Sequence, residues 1–185
     1  SDRLAEGSLD KYEALREPTS VLARTWFGLQ RCLLASVGRL SRGVRIGWRS
    51  GFDSGQSLDH VYRNRAEGYT IVGRAIDRMY LNSIGWKGIQ QRKVHLEALL
   101  DEAIARAMDR SEKVTILDLA AGPGRYVLET MKRHEDLPIQ AILCDRDDRG
   151  LAEGQQLACQ LGLQDRVRFC NSDAFDAARI QQVTE

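Results

Sequence analysis

The stretch VTILDLAAGPGRYVLET, residues 114–130, constrains the fold of this chain more than any other. It begins as a short apolar run broken by Thr115 and Asp118, turns at Ala-Ala-Gly-Pro-Gly, and continues with helical character. A run this short that ends in a Gly-Pro-Gly turn reads as a strand rather than a buried helix. Gly122 and Gly124 lack side chains, so another group can approach the backbone closely. The helix that follows presents unpaired N–H groups and the positive end of its dipole. If the strand belongs to an open parallel sheet, this turn is a cradle for a nucleotide-type ligand.

The downstream pattern supplies such a sheet. Strands are expected over 113–119, 139–144 and 166–170, with helices over 125–134 and 146–161, the second closed by Gly162, and a last helical fragment after Phe175. This β-α-β-α-β alternation with short connections argues for parallel strands and right-handed crossovers.

Upstream, residues 1–110 read as an all-helical region. Leu22, Trp26, Leu29, Leu33, Val37 and Leu40 fall at steps of three and four and predict an amphipathic helix over 19–40. Residues 41–57 hold four glycines and are expected to be a loop. Ser57 or Asp59 is expected to cap a short helix through Tyr62. A further helix places Ile71, Ala75, Ile76, Met79 and Tyr80 on one side. A turn at Gly85 and Gly88 is expected to lead into a long helix over 89–108.

The composition, 43% hydrophobic and 29% charged over 185 residues, suits one ordinary globular domain. No apolar run reaches the roughly 18 residues that span a bilayer, and no secretory signal is recognisable. The four cysteines, Cys32, Cys144, Cys159 and Cys170, form no C-x-x-C pair, which reads as a reduced, cytoplasmic protein. The three histidines are scattered, and no metal-ligand spacing occurs. Residues 1–110 carry 18 basic against 13 acidic side chains, whereas 111–185 carry 9 against 13. The two parts are therefore expected to be different objects: an N-terminal helical region, cap or substrate side, and a half-domain over 111–185.

Three acids stand at the ends of the three expected strands. Asp118 ends the first. Asp145, in AILCDRDD, lies 21 residues after Gly124, where a carboxylate can accept ribose hydroxyls. Asp173, in VRFCNSDAFD, is placed to accept from an adenine amine. A dinucleotide fingerprint needs a third glycine where Val127 stands, and no Gly-Lys-Ser/Thr follows, which excludes a P-loop. Plainer readings stand beside these: a tight turn for the glycines, a turn acid at Asp118, a helix N-cap at Asp145, and a loop acid at Asp173.

Together VTILDLAAGPGRY, AILCDRDDRGLAEG and RVRFCNSDAFD resemble the S-adenosylmethionine-binding half of class I methyltransferases, over roughly residues 112–176. The first resembles that family's D-x-A-x-G-x-G motif, the second its acidic ribose loop and the third its N-x-D adenine segment. GFDSGQSLDHVYRNRAEG and IDRMYLNSIGWKGIQQRK are similar to a bacterial group of methyltransferase-type proteins, in which the domain is often fused behind an α/β-hydrolase domain.

The resemblance implies an α/β fold: an N-terminal helical region plus the first β-α-β-α-β half of a Rossmann-like, doubly wound sheet, incomplete at the C-terminus. Only three of the family's seven strands are visible, so the chain is expected to be a fragment, inactive alone. The resemblance implies S-adenosylmethionine as cofactor and methyl transfer to a small-molecule or lipid acceptor. It places Ala120, Gly122 and Gly124 under the methionine and ribose parts and Asp118 at the amino end. Asp145, followed by Arg146, goes to the ribose, and Asp173 with Ala174 to the adenine. Arg125 departs from the small or apolar residue often found there; it either reaches the cofactor carboxylate or is a solvated first-turn residue. No G-x-S-x-G elbow occurs, so a hydrolase would be a fused or associated partner.

On the substrate side, His60, Tyr62, Arg63 and Tyr80 are candidates, with ordinary packing as the rival reading. No catalytic base is assigned. Residues 18–52 hold six arginines and no acid, interleaved with Trp26, Phe27 and Trp48. Such a stretch packs on its own protein or lies on an anionic membrane, peripheral to the inner membrane, through residues 19–49; nucleic acid fits less well. Two other functions stay open: a non-catalytic methyltransferase-like module and an NAD(P)-dependent oxidoreductase, against which Val127 counts.

Overall fold

The computed structural model describes residues 36–184, together with Thr25, Trp26 and Gly28. Most of the helix expected over 19–40, with the membrane contact attached to it, lies outside the described residues. A 3-10 turn, Val37–Leu40, leads into four helices: α1 (Arg42–Ser50), α2 (Gly55–Arg63), α3 (Ile71–Leu81) and α4 (Ile84–Met108). The α/β half follows as β1 (Val114–Leu119), α5 (Arg125–Arg133), β2 (Ile139–Asp145), α6 (Asp148–Leu161), β3 (Val167–Asn171) and α7 (Ala177–Thr184). Among the described residues no helix is long and apolar enough to cross a membrane.

The three strands are parallel in the order β1-β2-β3, with Val114 opposite Ile139 and Ala141 opposite Val167. Successive crossovers of one hand, stepping in one direction, put their helices on one face of a sheet. The core lies on that face: Val127, Leu128 and Met131 of α5 and Ala158 of α6 close over Ile139, Ala141 and Leu143 of β2, with Ile104 of α4 at the margin. Asp147 caps α6 by accepting from the Arg149 N–H at 3.1 Å, and Gly162 ends it at φ 73°. The N-cap role weighed for Asp145 thus belongs to Asp147.

The helical cap departs from its sequence pattern. The expected loop over 41–57 contains α1 and the start of α2, because Gly43 and Gly47 are contact points rather than breakers; only Gly51, at φ 94°, ends a helix. A Cβ on Gly43 would come within 2.5 Å of Tyr80, and one on Gly47 would collide with Phe52. Gly85 and Gly88 lie inside α4, which starts at Ile84, with open space around both. The cap of α2 is Ser54, whose hydroxyl accepts from the Ser57 N–H.

In α3 the expected apolar side is largely outward: Ile71 and Met79 are exposed, and the buried face carries Gly73, Asp77 and Leu81. Gly73 is required there, because a Cβ would collide with the Leu40 carbonyl. Asp77, fully buried, holds the cap together. It accepts from the Ser41 hydroxyl at 2.6 Å, the Gly43 and Glu67 N–H groups at 2.7 and 2.8 Å, and His60 Nε2 at 3.0 Å. Burial alone would raise its pKa, but these hydrogen bonds, His60 foremost, bring it down to about 2.

Candidate functional site

β1 delivers its last residues to the carboxyl end of the sheet, and the turn behind it is left-handed at Ala120 (φ 62°), Gly122 (φ 55°) and Gly124 (φ 67°). Such angles favour glycine, so Ala120 is held there against its own preference. The Ala121 N–H donates to the Cys144 carbonyl at 2.9 Å, and the Gly124 N–H to the Ala121 carbonyl at 2.9 Å, which closes the turn into α5. The glycines do not both leave room for a ligand, as expected from sequence. A Cβ on Gly124 would collide with Leu143 of β2, so this glycine lets α5 settle onto the sheet. Gly122 faces Gly55 of α2, whose own Cβ would lie 3.2 Å from the Gly122 Cα.

The open side of the turn is a cavity of about 360 Å³ between the strand ends and the cap. Its floor is the backbone of residues 118–124, and its wall is built by Leu58, Tyr62, Arg92, Leu96 and Tyr126. Asp118 enters from β1 and accepts from the Tyr126 hydroxyl at 2.7 Å. Burial pushes its pKa up, the Tyr126 bond pulls it down, and the charge of Asp145 adds to the upward side. Burial, then Asp118, pushes the Tyr126 phenol up as well. Asp145 ties β2 to the turn: its Oδ2 accepts from the Gly122 N–H at 2.7 Å and its Oδ1 from the Asp147 N–H at 2.8 Å. Each oxygen keeps a lone pair for a further donor.

Asp173 stands beyond β3, half-exposed. Its Oδ1 accepts from the Phe175 N–H at 3.0 Å, and the largely exposed Arg146 approaches its Oδ2 at 3.9 Å. Arg146 is thus a neighbour of Asp173 rather than of the glycine cavity. Ala174 is half-buried beside it, and Phe175 is exposed. A cavity bordered by Asp118 at the carboxyl ends of parallel strands, with Asp145 bonded to its glycine turn, suits an adenosyl-type ligand.

The whole chain, residues 1–185, matches the family described as "Putative methyltransferase". The chain belongs to that family. It is 42% identical over 158 residues to YnbC of Escherichia coli (strain K12), covering 85% of this chain but 27% of the relative. Solved structures give partial likenesses. An S-adenosylmethionine-dependent methyltransferase from Geobacter sulfurreducens, in complex with S-adenosyl-L-homocysteine, is 25% identical with TM-score 0.34, covering 45% of this chain and 29% of that one. The apo methyltransferase SibL is 18% identical with TM-score 0.38, covering 80% and 44%.

For a member of this methyltransferase family, the remaining candidate residues fall into two groups. Asp118, Ala120, Gly122 and Tyr62 line the cavity. Arg125 also borders it, but its charge is matched: Nε and Nη2 grip both oxygens of Asp59 at 2.6 and 3.2 Å, and Nη1 donates to Glu129 at 3.0 Å. It is neither a solvated residue nor a free cation for a cofactor carboxylate; it clamps α2 onto α5.

His60 is buried in the Asp77 network, and Arg63 lies against Asp59 and Glu67, so neither meets the cavity. Tyr80 packs against Phe52 and Trp86; burial, then the charge of Asp77, pushes its pKa up to about 12, with Trp86 pulling the other way. Gly55, Leu58, Arg92, Leu96 and Tyr126 were not legible as site residues. Tyr126 had one signal: it sits in the first helical turn after the glycine motif, facing back to the strand end.

Proposed function

We propose that this chain is the cofactor-binding half of an S-adenosylmethionine-dependent methyltransferase acting on a small-molecule or lipid acceptor. The observation that carries the reading is the Asp145 carboxylate, bonded to the Gly122 N–H beside Asp118, at the carboxyl ends of parallel strands in a chain of this family. The bound cofactor would supply an activated methyl group on its sulfonium. The chain's residues would bind and orient it. Asp145 would accept the ribose hydroxyls through its remaining lone pairs. Asp118, fixed by Tyr126, would hold the amino end, and Asp173 with Ala174 would meet the adenine. Ala120 and Gly122 would lie beneath its methionine and ribose parts. The α2–α4 cap would keep water from the strand ends, which favours displacement in a fixed geometry. Val127, buried in the core, stands where a nicotinamide fingerprint needs glycine.

Calorimetric titration of S-adenosylhomocysteine and of NAD into the protein and its Asp145→Ala variant tests this. Micromolar binding of S-adenosylhomocysteine alone is expected, weakened at least about tenfold by the substitution, in line with a lost charge-assisted hydrogen bond. NAD binding, or unchanged affinity in the variant, would sink the reading.

A further inference from the structure

A second cavity adjoins the first. It is a shallow groove of about 450 Å³ on the outside of the cap, lined by Phe52, Asp53, Leu58, Trp86, Ile89 and Arg92. Leu58 and Arg92 line both cavities and so stand between them. Apolar surface of this kind, next to a polar cradle, is the usual makeup of a small-molecule site.

Arg92 stands at the junction and is held in place. Its Nε and Nη2 donate to the Tyr62 hydroxyl at 3.1 and 2.8 Å, and its guanidinium lies 5.7 Å from the centre of that ring. Tyr62 is in turn braced edge-on by Tyr126, with ring centres 6.5 Å apart. No carboxylate among the described residues pairs with Arg92. Its neighbours differ: Lys93 is paired with Glu97 and Glu129, and Arg125 with Asp59 and Glu129. A guanidinium fixed by a neutral phenol keeps its charge free for an anion and presents a planar fork that fits a carboxylate.

We infer that the Phe52–Trp86–Ile89 groove is the acceptor site and takes an organic acid, a carboxylate on an acyl or aryl body, with Arg92 as its anchor. The word acceptor rests on the methyltransferase reading; the binding of the acid does not. The apolar body lies on Trp86 and Ile89, and the carboxylate is drawn to the mouth of the strand-end cavity. Arg92 is a binding residue here, and Tyr62 positions it.

The test uses octanoate and 3-phenylpropanoate as probes, with 1-octanol as the uncharged control. Each is titrated calorimetrically into the wild type, Arg92→Gln and Ile89→Ser, with S-adenosylhomocysteine titrated separately into the same proteins. At least one acid is expected to bind about tenfold or more tighter than octanol. Arg92→Gln should bring that acid down to the level of octanol while leaving octanol unchanged. Ile89→Ser, which removes apolar surface from the groove without adding a charge that could pair with Arg92, should weaken acid and alcohol alike. S-adenosylhomocysteine should shift less than about twofold in Ile89→Ser, since Ile89 does not line the strand-end cavity. No binding of either acid, or equal binding of acid and alcohol, overturns the proposal. So does Arg92→Gln losing S-adenosylhomocysteine as fully as the acid, which would give the guanidinium to the cofactor's own carboxylate. Acid binding without any S-adenosylhomocysteine binding keeps the site and refutes the methyltransferase reading.

Discussion

The α/β half and the helical cap are held together by different forces. Around β2 the stabilising contacts are apolar and shared among many side chains: Leu128, Met131, Ile139 and Leu143 are fully buried in one cluster. In the cap, Ser41, His60 and the backbone of Gly43 and Glu67 converge on the single carboxylate of Asp77. A second set of charges, Asp59–Arg125–Glu129–Lys93, fastens the cap to α5. A shared apolar core loses stability in portions. A polar hub fails at one atom, because every donor left behind is buried and unpaired.

The sharpest way to break this comparison is Asp77→Ala. It strands the four donors at once and should cost about 4 kcal/mol. Amide exchange should show protection lost across α1–α3 while β1–β3 stays protected; loss spread evenly over both regions would mean that the hub is not local to the cap. Leu128→Ala opens a void in the apolar core and should cost about 3 kcal/mol, read from a denaturant midpoint. Here the protection loss should centre on β2 and α5.

Acid separates the regions more gently. The folded pKa of Asp77, about 2, lies below its ordinary 3.8. Its contribution is therefore complete above pH 4 and is lost as pH falls through 2, about 2 kcal/mol in all. A melting series from pH 5 to 2 should show the cap softening in that window, and Asp77→Asn should remove this part of the slope.

The same contrast decides what could be read from sequence. The α/β half announced itself because its signals are apolar periodicity and turn glycines: β1, α5, β2, α6 and β3 begin and end within two residues of their expected bounds. The cap hid behind residues that usually mean the opposite of what they do here. Gly43 and Gly47 read as loop-formers yet sit at helix contacts. Asp77, a charge on the buried face of α3, misdirected that face, since hydropathy patterns give no weight to a polar group satisfied by four partners.

At the site, the acids at the strand ends were legible because topology alone puts them on one edge. Arg125 was not, since its partner Asp59 lies 66 positions away. Arg92 was missed for the same reason: its nearest partner, Tyr62, is 30 positions upstream.

The meeting of Gly55 with Gly122 carries a mechanical consequence. The two halves touch there backbone to backbone, so no side chain separates them that could be trimmed further. The spacing between cap and sheet can be altered at this point in one direction, outward. Gly122, at φ 55°, cannot take a side chain without strain, but Gly55 begins a regular helix. Position 55 is therefore the adjusting screw of the cleft: alanine, serine and valine in turn would act as shims of increasing thickness beneath the cap, setting the aperture above the strand ends while Asp118 and Asp145 stay as they are.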